Sequence, residues 1–444
     1  MDLPSHMFVN TISNFSDNLN ALRDFVDLIA PFLNKHQQEV IESQANDMLP
    51  LLLAFKKLLP EDSLNKIESN NNLEQLEEKL AEKVDIEILD NGSDNKTAKL
   101  NFSNKSLQSS FTRALKIYLG THRQQELLYR SSLITLASTS EWFISQILHE
   151  YLEKNPGIIY TKEKSFNLKE LEDFGSIEDA RRFLIDSKVE NLIRDSFEEW
   201  IKFFNTPIGL SMGYLKPYQN KLAEVYLRRN LIVHNGGRVN SIYRKKVATE
   251  FKDDFALGDE VQVSPDYLDA SISLFELNFI LIASELWKKL SPEDEVRANV
   301  LIDIAFNHLS SERWNIAEGL SYFVMNDKQM PERSRLIGQL NYWQSIKWQG
   351  GYEKIRFEVE KADFSAKEPL FQLARLALLD ENEQFFQLLP EVLASRKLGY
   401  DHLETWMIFR EMRKDPAYSP FHEKYKLEFT DTKNVIEQSS DSLN

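Results

Sequence analysis

The 444-residue sequence contains no cysteine, which removes disulfide frameworks, thiolate metal sites and cysteine nucleophiles together. That absence suits a reducing compartment, and a cytoplasmic location is the expectation. Glycine and proline are scarce at 14 each, so few of the turns that a large sheet requires are present. The eight histidines are scattered without metal-ligand spacing, and no Gly-rich phosphate loop, His-Glu-x-x-His pair or Gly-x-Ser-x-Gly elbow occurs. Neither a metal nor a cofactor is expected. The opening residues lack a basic start followed by an apolar run, and no window approaches eighteen uncharged apolar residues, so neither a signal peptide nor a membrane span is expected. Positive charge is in deficit, with 53 Lys and Arg against 69 Asp and Glu for a net charge of -16. Such a balance argues against a nucleic-acid binder that uses its whole surface; any phosphate contact must be local.

What is abundant is helix-forming sequence. Leu, Glu, Lys, Gln and Ala recur in long unpunctuated runs, and 42% hydrophobic content over this length supplies more than one core. The expected fold class is all-α. An N-terminal helical region over 1–104 contains three amphipathic phrases, "LNALRDFVDLIAPFL", "MLPLLLAFKKLL" and "NLEQLEEKLAEKV". It ends in two short alternating runs around "DNGSDNKT", which has hairpin chemistry or serves as a disordered connection. A central helical bundle is expected over 105–290, including one long amphipathic helix from Tyr129 to Lys154 that Pro156 and Gly157 stop. Over 291–429, Leu301, Leu336 and Leu370 open similar phrases with partners at Ala317, Tyr352 and Phe386, a period near that of tetratricopeptide repeats. Helical-pair repeats are expected there, with Trp314, Trp343, Trp348 and Trp406 packing between them rather than serving as stacking platforms. The polar residues 430–444 read as a disordered tail.

One stretch carries chemistry. In "LRRNLIVHNGG", Arg229 and His234 are five positions apart and precede a glycine pair. Arginine presents a planar fork of donors to phosphate oxygens, and histidine titrates near neutral pH. Together they suit RNA cleavage, because the 2′-hydroxyl of RNA is an internal nucleophile and an enzyme need only move protons and neutralise charge on the phosphate. The alternative is structural: His234 as a residue favoured at a helix C-terminus, with Gly236 and Gly237 as its cap. Asn230 lies four positions before His234 and shares its face. Between Lys221 and Glu250, seven positive side chains (Lys221, Arg228, Arg229, Arg238, Arg244, Lys245 and Lys246) stand against Glu224 and Glu250, a local net of +5 inside an acidic chain. The cations Arg228, Arg238, Arg244, Lys245 and Lys246 are the candidates for binding RNA. His122 and His149 read as surface residues outside any site.

At these residues the stretch resembles the catalytic helix of the HEPN superfamily, marked by an arginine, a polar residue and then a histidine at this spacing; here those are Arg229, Asn230 and His234. The earlier helix with "STSEWFISQIL" resembles the first helix of that family, where Glu141 occupies the supporting acidic position, and "YLDASISLFELNFILIASELW" resembles the helix that closes such bundles. The resemblance covers Leu107 to about Leu290. It implies that Arg229 neutralises the scissile phosphate, His234 transfers protons and Asn230 orients one of them. Gly236 stands where some family toxins have a tyrosine that a partner enzyme modifies, so silencing by that route is not expected.

The expected function is therefore a metal-independent endoribonuclease acting in defence or as a toxin, with RNA as substrate. It is expected to assemble as a homodimer or larger even-numbered oligomer, and to meet a regulatory protein through its C-terminal repeats. The alternative is a non-catalytic dimeric scaffold or sensor with the same fold.

Overall fold

The computed structural model describes residues 4–58, 80, 83–90, 96–160, 166–424 and 426. Helix dominates it, as expected of an all-α protein, with one two-stranded hairpin. Helices α1 (Pro4–Ser43) and α2 (Ala45–Leu58) open the chain, followed by strands β1 (Val84–Asp90) and β2 (Lys96–Phe102). Then come α3 (Lys105–Lys154), α4 (Leu168–Phe174), α5 (Ile177–Arg194), α6 (Phe197–Phe203), α7 (Gln219–Asn235), α8 (Ser241–Lys246) and α9 (Pro265–Leu290). The remainder holds α10 (Val296–Ser310), α11 (Trp314–Asn326), α12 (Glu332–Ile346), α13 (Arg356–Lys361), α14 (Pro369–Leu378), α15 (Asn382–Ala394) and α16 (Tyr400–Thr405).

The two strands pair antiparallel from Val84 opposite Phe102 to Asp90 opposite Lys96. Side-chain alternation places Val84, Ile86, Leu100 and Phe102 in one small cluster with Leu49 and Leu53 of α2. The two alternating runs thus pair as the hairpin reading requires, while the connecting residues 91–95 lie outside the described residues. The helix expected in "NLEQLEEKLAEKV" lies outside the described residues up to Lys79, and Val84 begins β1 instead. The polar tail 430–444 also lies outside them. Helix α3 is longer than the phrase from Tyr129: it runs unbroken from Lys105, because Gly120 sits in a helical stretch without a second breaker beside it.

Two compact units divide the chain differently from the sequence boundaries at 104 and 290. One gathers the described residues of 1–20, 135–261 and 266–444, and the other those of 21–134 and 262–265. The reason lies in the first unit's core. Phe8 stacks on Trp287 at 5.6 Å and Phe15 on Phe143 at 4.1 Å, so the start of α1 belongs with α3 and α9. At the other boundary, Glu276 of α9 accepts from Ser16 at 2.7 Å and meets His308 Nε2 of α10 at 3.0 Å, all three being buried. Among the described residues α9 is long and apolar enough to cross a bilayer; 72% of its apolar window is buried inside the protein, where it meets α1, α7 and α10.

Helix pairs occur at two of the three expected repeat positions: α10 with α11, and α14 with α15. The middle pair departs from expectation. Tyr352 falls in a single 3-10 turn after a π-turn over Lys347–Gly351, where Gly350 takes φ +80, and only the six-residue α13 follows. A left-handed glycine ends the first helix where a regular second one would have begun. Trp343 and Trp406 are buried, and Trp406 donates to Asn341 Oδ1 at 3.0 Å, which is the packing role expected of them. Trp314 and Trp348 are half-buried.

Asp327, just after α11, is the buried acceptor that ties α9 to α10. It takes Arg297 at 2.7 Å and Lys288 at 3.0 Å, and Arg297 is only 1% exposed. Burial pushes the Asp327 carboxyl up, but the hydrogen bonds from Arg297, the Gln329 backbone and Lys288 outweigh it and hold the group below its ordinary range. Its contribution is therefore complete above the ordinary carboxylate pKa and is lost as pH falls through the depressed value. Asp327→Ala leaves a buried guanidinium uncompensated and is expected to cost about 3–5 kcal/mol of stability at neutral pH, read by urea unfolding. A loss below about 1 kcal/mol would show that the pair is not structural.

Candidate active site

Helix α7 owes its position to Leu222, Val225, Tyr226 and Leu231, apolar residues at helical spacing that are all buried. Tyr226 packs on Phe197 of α6 at 5.8 Å and on Phe275 of α9 at 5.3 Å. The helix ends where Gly236 and Gly237 take φ of +57 and +79, and the Gly237 N–H closes onto Leu231 O at 2.9 Å. The glycine pair is thus a helix cap, and His234 stands exposed in the last turn. The structural reading of that histidine and the chemical one are compatible.

Successive helical residues point about 100° apart, and this separates the two arginines. Arg228 turns inward, which corrects its expected role in binding RNA. It is buried, donates through Nε to Glu224 Oε1 at 2.8 Å, and lies 3.9 Å from the Tyr267 ring centre. Tyr243 of α8 and Tyr267 of α9 also donate to Glu224, at 2.9 and 2.6 Å. Burial would lower the Arg228 pKa, but Tyr267 and Glu224 hold it above its ordinary value. Burial and the Glu224 charge raise both tyrosines. Arg228 therefore serves a network that clamps three helices, and its guanidinium is out of reach of a phosphate.

Arg229 points instead into a cleft of about 480 Å³ whose walls also carry Glu141, Asn230 and His234. Its guanidinium pairs with Glu141 of α3, and Nη1 donates to Asn230 Oδ1 at 3.0 Å. The Arg229 and Glu141 side chains are 17% and 24% exposed, enough for a ligand to reach them from the cleft. The Arg229 Nε is buried and finds no acceptor. Of its five N–H donors two are engaged and the Nε–H is buried, so about two, one on each terminal nitrogen, remain for an incoming anion. Burial lowers the Arg229 pKa below its ordinary value; a guanidinium nonetheless stays protonated in proteins at neutral pH.

The remaining expected cations separate by position. Lys246, in the last turn of α8, lines the same cleft. Arg244 and Lys245 are exposed on α8 but are not part of the cleft wall. Arg238 donates to Gly258 O at 3.2 Å and likewise stays outside it. Three charged lining residues are not among the candidates read from the sequence: Arg194, Asp195 and Glu198, from the corner between α5 and α6. Trp200 pins that corner by donating to Leu192 O at 2.6 Å. The only signal for them was the break before "SFEEW", which reads equally as an ordinary solvated helix start. His149 bonds Ser145 O at 2.7 Å and Asp186 at 3.1 Å, apart from the cleft, and His122 is exposed.

Three acidic groups (Glu141, Asp195, Glu198) face three cationic ones (Arg194, Arg229, Lys246) across the cleft. Its field is balanced rather than strongly positive, and Arg194 is already paired with Glu190. Among the described residues no group of three or more His, Asp or Glu is placed to hold a metal ion. Comparison with protein-family models, with curated proteins and with solved structures gives no match.

The inward and outward cations should behave oppositely. Arg228→Ala strands the Glu224 carboxylate and is expected to cost about 3–5 kcal/mol, whereas Arg244→Ala should stay within about 0.5 kcal/mol of the parent in chemical unfolding. Equal effects at the two positions would contradict the buried network.

Proposed function

We propose that the chain is a metal-independent endoribonuclease of the HEPN type. The observation that carries this reading is the convergence of Glu141, Arg229, Asn230 and His234, from helices far apart in sequence, on one cleft. In this reading Arg229 binds the scissile phosphate through its free N–H donors and stabilises the charge that builds on the phosphoryl oxygens. Glu141 and Asn230 fix the plane of the guanidinium. His234 takes the proton from the 2′-hydroxyl, whose oxygen forms the new P–O bond, while the P–O bond to the 5′-oxygen breaks. The leaving oxygen receives a proton, so the products are a 2′,3′-cyclic phosphate and a free 5′-hydroxyl. A defence or toxin role would follow from cleavage of cellular RNA, under control of a protein partner at the C-terminal helix pairs.

One histidine per cleft supplies one proton carrier, whereas this reaction uses a base and an acid on opposite sides of the phosphorus. A homodimer, or a larger even-numbered assembly with α7 near the two-fold axis, would provide both. The second reading is a non-catalytic scaffold or sensor. The Glu141–Arg229 pair and the balanced charge of the cleft favour it, since they reduce the pull on a polyanion.

His234→Ala is expected to abolish RNA cleavage without changing the unfolding midpoint. Arg229→Lys should lose most of the activity, since a point charge keeps the sign but not the fork. Chelators should have no effect, and a 2′-deoxy substitution at the cut site should block the reaction. Undiminished cleavage by His234→Ala, or no cleavage by the parent protein on any RNA, would favour the scaffold. Mixing Arg229→Ala with His234→Ala chains tests assembly: the composite site predicts altered activity in the mixture, and a fully active monomer at nanomolar concentration contradicts it.

A further inference from the structure

A cavity of about 320 Å³ lies among the C-terminal helices, walled by α10, α12, the start of α14, the turn after α15, and α16 with the residues that follow it. Its volume is in the range of small-molecule sites, roughly 300–1,000 Å³. It shares no lining residue with the Arg229 cleft. One face of α12 gives the cavity its axis: Arg333, Ile337 and Asn341 follow at intervals of four and all line it. Cation, apolar side chain and amide thus succeed one another over about 12 Å of helix. Arg333 is exposed and Asn341 is buried, so the cationic end is the open one.

The other walls repeat that order. Helices α14 and α15 pack as a pair joined by a short turn, so the end of α15 returns beside the start of α14. The start of α14 is itself at the Arg333 end, because Arg333 Nε donates to Glu368 Oε1 at 3.3 Å. From α15 the chain passes through Arg396, whose φ of +53 is left-handed, into Lys397 and Leu398, both of which line the cavity. Lys397 therefore stands at the same end as Arg333. Helix α16 leads to the closed end: His402 meets the Phe306 ring of α10 at 5.7 Å, and Trp406, one turn further on, donates to Asn341 Oδ1 at 3.0 Å.

Both ends hold N–H donors with nothing to donate to. Asn341 is 1% exposed, and its Oδ1 accepts from Gln344 Nε2 at 2.7 Å as well as from Trp406. An indole nitrogen only donates, so the amide oxygen must face it and the amide nitrogen is turned away. That nitrogen donates to no group among the described residues. At the open end the Lys397 ammonium has no hydrogen bond or ion pair among them, and the two terminal nitrogens of Arg333 have no acceptor. A buried donor without an acceptor is costly, and a ligand oxygen removes that cost. Asp303 is the one carboxylate in the lining, with His402 near enough to oppose the rise that burial causes in its pKa. Two fixed cations against one acid suit a ligand with a single negative charge better than a phosphate dianion.

We infer that this cavity binds a small linear carboxylate, with the carboxylate at Arg333 and Lys397, an apolar chain along Ile337 and Phe306, and a carbonyl oxygen at the far end accepting from Asn341 Nδ2.

Isothermal titration of the full chain with 7-oxooctanoate tests the inference, and one molecule per chain should bind. Octanoate lacks the carbonyl, octan-2-one lacks the carboxylate, and 4-oxopentanoate is too short to reach both ends. Each should bind weaker by about tenfold or more. Lys397→Glu alters an exposed side chain without a partner, so it should leave the unfolding midpoint unchanged while weakening binding by about tenfold or more. Asn341→Asp keeps the acceptor that Trp406 uses and removes the donors, so binding should be lost; if that variant does not fold, the octanoate comparison decides the same point. Absence of saturable binding by 7-oxooctanoate, equal binding of octanoate, or undiminished binding by Lys397→Glu overturns the inference.

Discussion

Glu224 is a carboxylate with 3% of its surface exposed, and the geometry around α7 depends on how that charge is held. An unpaired carboxylate in such a place would cost several kcal/mol. Its two oxygens accept from Arg228 on the same helix, Tyr243 on α8 and Tyr267 on α9, so one charge is shared among three elements. Apolar contacts alone would permit α7 to rotate or slide by a fraction of a turn. Directional hydrogen bonds to a single buried group do not, and they are the kind of constraint that gives a helix a fixed register.

That register decides what the exposed side of α7 offers. With Arg228 committed inward, Arg229 is turned toward α3, where Glu141 meets it, and Asn230 and His234 follow at helical spacing along the cleft. The tryptophan and tyrosine beneath the cleft, Trp200 and Tyr226, keep that wall rigid: their rings pack 5.2 Å apart, edge to face. Precision at a polar site here comes from a second polar site behind it, joined through a backbone only one residue long.

How legible this was in sequence differs by feature. Helix content, the hairpin strands and the cap at Gly236 follow from local rules of propensity, alternation and left-handed backbone, and these signals stand within a few residues of the structure they dictate. The direction of Arg228 does not, because it depends on Glu224, Tyr243 and Tyr267, of which the last is 39 positions from the arginine and belongs to another helix. Nor does charge counting reveal it: the local excess of +5 includes a cation already neutralised in the interior. The acidic members of the cleft, Asp195 and Glu198, were invisible for the converse reason, since nothing in "DSFEEW" distinguishes a solvated helix start from one facing an arginine. The division of α1 between two packing units was likewise hidden, because an uninterrupted amphipathic pattern does not say which neighbour each turn will meet.

The charges around the cleft set the terms on which an anion can enter. A helix C-terminus carries partial negative charge, about half an elementary unit, and α7 directs that end toward the position of His234. Glu141, Asp195 and Glu198 add to it. Arg194, Arg229 and Lys246 offset them, so the net long-range pull on a phosphate is small, and what the cleft offers an anion is short-range geometry: the free N–H donors of Arg229, with Lys246 across the cleft. A site balanced in this way attracts polyanions weakly at long range and discriminates strongly on contact.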